Sequence, residues 1–334
     1  MKRIVITGAG KNGFLGYHVK KAFAPYKASS ASDTTRHYIM PVGSEYDLIK
    51  QEGADRLFSN LQPDILIHMA AVCGGILANK NSPADFLRDN TQMGLNIYES
   101  ARKFGCKYVY TLGSVCGYGK YCPTPFHEDT LFDGFPEETN SGYGQAKRTL
   151  LMLGQTYRQQ YGTKGAHLIP VNMFGPKDHF DLINSHVIPA LINKIVYAKQ
   201  FDQPTVECWG TGVATREFLY AGDCAEAIVK AAISELDTPL PINIGTGKDI
   251  SIKDLAFLIT ELVDFKGEIV FNNEVSDGQP KRQLNVSRAK DILEFEARTD
   301  LKQGLRKTID WYMTELKKVQ SGKDYNDDPR SSHL

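Results

Sequence analysis

The chain has 334 residues, 42% of them hydrophobic, with 39 Lys and Arg set against 39 Asp and Glu. That length supports a large core and two lobes, while the zero net charge excludes a chain-wide basic face for nucleic acid or an anionic membrane. No apolar run approaches the ~20 residues of a membrane-spanning helix, and six cysteines without CxxC or metal-ligand spacing point to a reduced, cytoplasmic, metal-free protein.

Met1-Lys-Arg-Ile-Val-Ile enters a strand at once, leaving no room for a signal peptide. The β-branched run at 4–7 is followed by Gly8-Ala-Gly10-Lys-Asn-Gly13-Phe-Leu-Gly16 and a helical stretch to about residue 24. Strand, glycine-rich turn and helix form the context in which GxGxxG (Gly8, Gly10, Gly13) binds a dinucleotide. The glycines let the backbone approach a pyrophosphate, which rests on the helix N-terminus. A polar loop at 27–36 leads to a second strand at 37–41, then a helix, then a buried strand at 64–71. Apolar strands alternating with helices predict an α/β fold with a doubly wound parallel sheet, a Rossmann fold.

Helices are expected at 83–104 and 143–161, on either side of a strand at 108–114 and a long loop. A strand follows at 165–170. After Pro176 the alternation weakens, as a smaller C-terminal α/β substrate-binding lobe requires. Residues 216–233 and 241–247 read as returns to the main sheet. The expected division is a nucleotide-binding domain at 1–170 with returns at about 214–247, a substrate lobe at 171–213 and 248–320, and a flexible tail at 321–334.

Chemistry concentrates in Tyr143-Gly-Gln-Ala-Lys147. A Tyr and a Lys four apart share one helix face, where the ammonium is expected to lower the phenol from its usual ~10. Ser114 is expected at the C-terminal tip of its strand. Three such groups around one carbonyl oxygen suit hydride transfer to a ketone. Tyr and Lys at this spacing also arise on solvated helices, so the pentad counts only beside the N-terminal glycine pattern.

Taken together, the glycine loop, His68-Met-Ala-Ala71, Ser114, the YGQAK pentad and Asn172-Met-Phe-Gly-Pro176 resemble the extended short-chain dehydrogenase/reductase family. Further segments resemble its GDP-sugar epimerase/reductases, the GDP-L-fucose synthase group. They are Cys73-Gly-Gly-Ile-Leu-Ala-Asn79, Pro83-Ala-Asp-Phe86, Gly113-Ser-Val-Cys116, Asn184-Ser-His186-Val-Ile-Pro-Ala-Leu191, Trp209-Gly-Thr-Gly212, Arg216-Glu-Phe-Leu-Tyr220 and Asp277-Gly-Gln-Pro280.

The resemblance implies NADPH-dependent 3,5-epimerisation and 4-keto reduction of GDP-4-keto-6-deoxy-mannose by a homodimer paired through the helices at 83–104 and 143–161. Ser114, Tyr143 and Lys147 would reduce, with Cys116 as the epimerisation base and His186 as the acid. A thiol and an imidazole ordinarily titrate near ~8.5 and ~6.5, so both can move protons near neutrality. The implied cofactor contacts are Gly8, Gly10, Lys11, Asn12, Gly13, Phe14, Leu15, Ala70, Ala71, Asn90, Tyr143, Lys147, Asn172 and His186. The GDP-sugar would meet Arg216, Lys281 and Arg282 at its diphosphate, and Lys194 and Trp209 elsewhere; Trp209 equally suits a core position.

Two departures stand out. Gly8 and Gly13 are separated by four residues where the family usually has two. The arginines that relatives place on the NADP 2′-phosphate are absent, leaving Lys11 and Ser44 as partners, with no acidic residue ending the second strand; NADP is expected and NAD stays open. Alternatives are a related GDP-4-keto sugar (a 3,6-dideoxy colitose precursor or a 6-deoxy-heptose), a 4-epimerase with tightly held NAD, or a sensor on a retired reductase fold. The complete Ser114, Tyr143 and Lys147 set argues against the last.

Overall fold

The computed structural model describes residues 2–11, 13–28, 36–182, 185–274 and 278–321. Its centre grows from short runs rich in Ile, Val, Leu and Tyr: β1 (Arg3–Thr7), β2 (Tyr38–Pro41), β3 (Ile65–His68), β4 (Tyr108–Leu112) and β5 (His167–Pro170). β3 and β5 are buried at every position, which requires cover on both faces of the sheet. The chain then leaves through β6 (Asn172–Phe174), β7 (Thr205–Trp209) and β8 (Thr215–Tyr220), and β9 (Ile242–Ile244) returns beside β5. The six strands of the main sheet run parallel in the order β2-β1-β3-β4-β5-β9.

Cover comes from amphipathic helices. α1 (Phe14–Phe23) lies on one face, while α2 (Gln51–Leu61), α3 (Ile76–Asn81), α4 (Pro83–Phe104) and α5 (Ser141–Tyr161) follow the strands of the other half. Alternation along β1 divides the core. Ile4 and Ile6 join Val19, Phe23 and Ile228 on one side; Val5 joins Leu57, Phe58 and Ile97 on the other. The strand order reverses at β1 and β3, so the crevice beyond their C-terminal ends is where such a sheet receives a ligand.

The second lobe has its own core. α6 (Val187–Gln200), α8 (Ile252–Val263) and α10 (Leu301–Gln320) enclose Phe180, Ile192, Ile259, Ile309 and Tyr312. β10 (Asp249–Ser251) and β12 (Lys281–Arg282) flank β8, β6 also pairs with β8, and β11 (Glu268–Asn272) pairs in parallel with β7. Of the two expected returns to the main sheet, only residues 241–247 make one, through β9. β8 builds the second sheet instead, and its sequel α7 (Ala221–Ile233) packs on α1. The burial of β8, complete only over Glu217–Leu219, fits either sheet, so pairing alone decides its place. The expected tail at 322–334 lies outside the described residues.

One buried carboxylate ties the lobes together. Glu217 on β8 is fully buried; its Oε1 accepts from the backbone N–H of Thr246 and of Gly247 at 2.8 Å, and its Oε2 from Leu284 N–H at 2.7 Å. α9 (Ser287–Leu293) then carries the chain back against β9. Replacing Glu217 with Ala orphans three buried donors, each costing ~1–3 kcal/mol. Urea unfolding of Glu217→Ala should therefore show a loss of at least ~3 kcal/mol, and a loss under ~1 kcal/mol would refute the tie.

Candidate active site

At the β1–α1 turn, backbone meets backbone. Gly8 has φ +73°, and a Cβ there would stand 2.7 Å from Ala70 N, at the end of β3. Gly10 approaches Gly43, past β2, so closely that a Cβ on Gly10 would lie 2.9 Å from the Gly43 Cα. α1 begins after Gly13 with no side-chain cap and no acidic residue in its first turn. Its free N–H groups suit an anion, and the cradle beside it fits a dinucleotide pyrophosphate because no side chain fills it. Phe14, Leu15, Ala70 and Ala71 are half-buried around this crevice and Lys11 is exposed at its rim. Asn12 lies outside the described residues.

Three features of this end were not legible in the sequence. Asn90 is buried, but its amide is engaged on Val72 N–H and on the carbonyls of Val72 and Phe86 at 2.7–3.0 Å. It therefore fastens the loop that follows β3. Glu45, four residues beyond β2, folds back so that its Oε2 accepts from Gly43 N–H at 2.8 Å. An acidic group thus stands beside Gly43 at the edge of the cradle, although none ends the strand itself. Asn172 donates to the Glu217 carbonyl at 3.0 Å.

β4 ends at Leu112, so Ser114 lies in the following turn rather than on the strand tip. It opens a short 3₁₀ turn, Val115–Gly117, and its Oγ accepts from Cys116 N–H at 3.2 Å. α5 lies directly on this turn. A Cβ on Gly144 would stand 2.4 Å from the Cys116 carbonyl oxygen, so glycine after Tyr143 is what lets the helix approach. Tyr143 packs edge-on against Phe86, and Lys147 Nζ lies 5.5 Å from the Tyr143 ring centroid.

The expected depression of the Tyr143 phenol is overturned. Desolvation pushes it well above its usual value, the thiols of Cys73 and Cys116 add to the shift, and the ammonium lies over the ring. Burial lowers Lys147 itself to about 8. Tyr143 is half-exposed, and Cys73 and His186 are exposed, yet all three are desolvated. Groups open to solvent but ringed by protein mark a cleft. His186 caps α6 without a side-chain cap bond, and burial together with His179 lowers its pKa.

Arg282 lies beside the serine turn. Its Nη1 reaches Cys116 Sγ at 3.6 Å and its Nε donates to Gln279 Oε1 at 2.9 Å. Lys281 is paired with Asp249 at 3.2 Å. Arg216 is in register with Arg282 on neighbouring strands and donates to the Thr215 carbonyl. Lys194 lies 5.2 Å from the ring centroid of Trp209, which is 60% exposed and so is not core. Asn184 and Asp277 of the motifs lie outside the described residues.

Two site residues were missed. Cys73 enters the cleft beside Tyr143 and Lys147. Asp178 is buried, its Oδ1 accepts from His179 N–H at 2.8 Å, and its Oδ2 has no partner among the described residues. Burial raises it to about 7, and the only sequence signal was its place just beyond the Asn172–Pro176 motif. A raised acid stabilises the fold below its unfolded value of ~4, and that contribution is lost as pH rises through about 7. Asp178→Asn should thus gain roughly 2 kcal/mol relative to the parent between about pH 5 and about pH 8. Urea midpoints at the two pH values check this, and an equal offset at both would sink it.

Residues 4–245 match the NAD dependent epimerase/dehydratase family. The chain is 36% identical over 315 residues to a GDP-L-fucose synthase of Sinorhizobium fredii, covering 94% of this chain and 96% of that one. It is 33% identical to a GDP-L-colitose synthase of Yersinia pseudotuberculosis, over 94% and 98% of the two chains. The solved structure of a GDP-L-fucose synthetase from Naegleria fowleri bound to NADP superposes with a TM-score of 0.82 at 26% identity, over 96% of each chain. A dinucleotide cradle, a serine turn and a Tyr–Lys helix in one cleft agree with these likenesses, and the chain belongs to the NAD dependent epimerase/dehydratase family, in the branch that contains the GDP-L-fucose synthases.

Proposed function

We propose that this enzyme converts GDP-4-keto-6-deoxy-mannose to GDP-L-fucose by 3,5-epimerisation and NADPH-dependent reduction at carbon 4. The observation that carries the reading is the turn holding Ser114 and Cys116 two residues apart, with the Tyr143 helix laid on it. One bound ketone can then meet the reductase hydroxyls and the epimerase thiol together.

Cys116 takes the acidic proton beside the ketone, first at carbon 3 and then at carbon 5. Arg282, 3.6 Å from the sulfur, stands beside the thiolate that takes the proton. His186 returns a proton from the opposite face, and its lowered pKa suits a group that gives one up readily. Ser114 and Tyr143 hold the carbon-4 oxygen and stabilise the enolate. NADPH, when bound, supplies the hydride for carbon 4. Tyr143 then protonates the oxygen; its high intrinsic value favours keeping the proton until charge appears. Lys147 supports Tyr143 and a ribose hydroxyl.

Gly8, Gly10, Gly13, Phe14, Leu15, Ala70 and Ala71 would hold the cofactor, with Asn12, Asn90, Asn172 and His186 around it and Lys11 and Ser44 toward the 2′-phosphate. Arg216, Lys281 and Arg282 would receive the diphosphate, and Lys194 and Trp209 the nucleoside end. Residues 1–170 with about 214–247 form the NADP-binding domain by this assignment, although β8 pairs within the sugar lobe. The likeness to a colitose synthase favours one second reading, the same chemistry on a 3,6-dideoxy GDP-sugar.

A cytoplasmic homodimer completes the proposal. Leu87 and Leu95 on α4 and Met152 and Tyr161 on α5 are exposed on two helices packed side by side, as a four-helix interface requires. No helix among the described residues is long and apolar enough to cross a membrane. Sedimentation velocity should show a dimer that Leu95→Glu converts to monomer; a monomeric parent removes this part of the proposal.

The activity is tested with purified protein, NADPH and GDP-4-keto-6-deoxy-mannose in deuterated water. The parent should oxidise NADPH and give GDP-L-fucose deuterated at carbons 3 and 5. Tyr143→Phe should lower the reduction rate at least ~100-fold while exchange continues, and Cys116→Ser should abolish exchange. Oxidation without deuterium would leave a simple reductase. No oxidation, with turnover of the 3,6-dideoxy analogue, would establish the second reading.

A further inference from the structure

Gln279 is buried in the segment between β11 and β12, although glutamine ordinarily keeps to the surface. Gly278, at φ +71°, makes the turn before it, and after it the Pro280 carbonyl accepts from Thr215 N–H at 2.9 Å. Both ends of the buried amide are used. Nε2 donates to the Lys120 carbonyl at 2.8 Å, and Oε1 accepts from Arg282 Nε at 2.9 Å. The opposite amide orientation would set donor against donor and acceptor against acceptor, so the two partners fix it.

The two partners belong to different lobes. Lys120 follows the serine turn, and its own N–H donates to the Phe135 carbonyl at 2.8 Å. Arg148 on α5 holds the same loop by donating to the Gly117 and Gly134 carbonyls at 2.6 and 2.9 Å. Arg282 sits on β12, in register with Arg216 on β8. Neighbouring strand residues face opposite ways. Lys281 accordingly turns to Asp249 at 3.2 Å, while Arg282 turns to Cys116, its Nη1 donating to Sγ at 3.6 Å. An unrestrained arginine side chain carries ~2 kcal/mol of rotamer entropy. Its guanidinium is planar, so a bond that fixes Nε also fixes where Nη1 points.

We infer that Gln279 is a positioning residue for proton abstraction: anchored on the Lys120 carbonyl, it directs the Arg282 guanidinium at Cys116 Sγ, so that the thiolate form of the base is met by a charge-assisted hydrogen bond. The inference rests on the epimerase reading of Cys116. The thiolate takes the proton beside the ketone and becomes a thiol, and His186 returns a proton to the enolate carbon. The thiol then gives its proton to solvent and His186 regains one, so no proton is consumed and both groups are reset before carbon 5 follows carbon 3. Arg282 keeps its charge and its protons throughout. A hydrogen bond from a guanidinium is stronger to the sulfur anion than to the thiol, so Gln279 acts on the base without touching the sugar.

Alkylation of the protein without sugar tests the positioning directly. Iodoacetamide labelling at pH 7 is read for each cysteine by peptide mass spectrometry, with Cys73, an exposed thiol of the same chain, as internal reference. Gln279→Met should slow Cys116 about fivefold and Arg282→Met about tenfold, with Cys73 within about twofold of the parent in both. Because the effect is one of charge, both deficits should vanish by about pH 10, above the ordinary thiol range; a change of access would persist there. Should Gln279→Met not fold, Gln279→Glu, which loses the bond to Lys120 and draws the guanidinium charge away from sulfur, should show a deficit of the same sign. Parent-like labelling of Cys116 at pH 7, or a deficit that persists at pH 10, overturns the inference. With GDP-4-keto-6-deoxy-mannose in deuterated water, Gln279→Met should lower the exchange kcat about fivefold at a KM within about twofold of the parent. A rise in KM alone overturns the inference. A parent that ignores this sugar yet shows the labelling pattern overturns the functional reading and supports the positioning role for another substrate.

Discussion

A helix backbone lying on a turn sets the geometry of the whole site. Because Gly144 carries no side chain, α5 settles against the Cys116 carbonyl, with 2.4 Å left where a Cβ would be. That contact fixes Tyr143 relative to Ser114 and Cys116. The same α5 rotation buries Lys147 one turn on and leaves the phenol edge facing the cleft. Everything asked of the cleft, from holding a ketone oxygen to reaching the adjacent carbons, depends on this packing rather than on a flexible arm.

The second lobe is held to that site by polar rather than apolar means. Glu217 satisfies backbone donors from two segments distant in sequence and anchors β8, whose neighbour β12 delivers Arg282 to Cys116. A buried acid with three backbone partners is stiff, because each lost bond leaves an unsatisfied group in a low-dielectric interior. The lobe can therefore place a guanidinium beside a thiol reproducibly, where a hydrophobic joint would tolerate sliding.

Desolvation then sets the electrostatic character of the cleft. It raises Tyr143, Asp178 and Cys73 and lowers Lys147 and His186, so every one of these groups is pushed toward its neutral form. In such a site the phenol, carboxyl and thiol keep their protons while the amine and imidazole release theirs readily, which suits enolisation followed by reduction. Histidines 68 and 167, held neutral to about 3, extend the same condition into the sheet beneath.

What the sequence determined by itself was local: the strand, glycine turn and helix at the N-terminus, the alternation of strands and helices, and Tyr143 and Lys147 on one helix face. Near-neighbour sterics and side-chain periodicity fix such features, so short segments carry them. Tertiary structure alone decided which sheet β8 would join, because its pattern suits either. It also decided that Arg282 meets Cys116 across 166 residues of chain, that Asn90 fastens a loop, that Glu45 reaches Gly43, and that Cys73 and Asp178 enter the cleft. The direction of the Tyr143 shift belongs to the same class. A helical spacing tells how near the ammonium is, but the degree of desolvation depends on every element that closes around the phenol, and here burial and the two neighbouring thiols push it up.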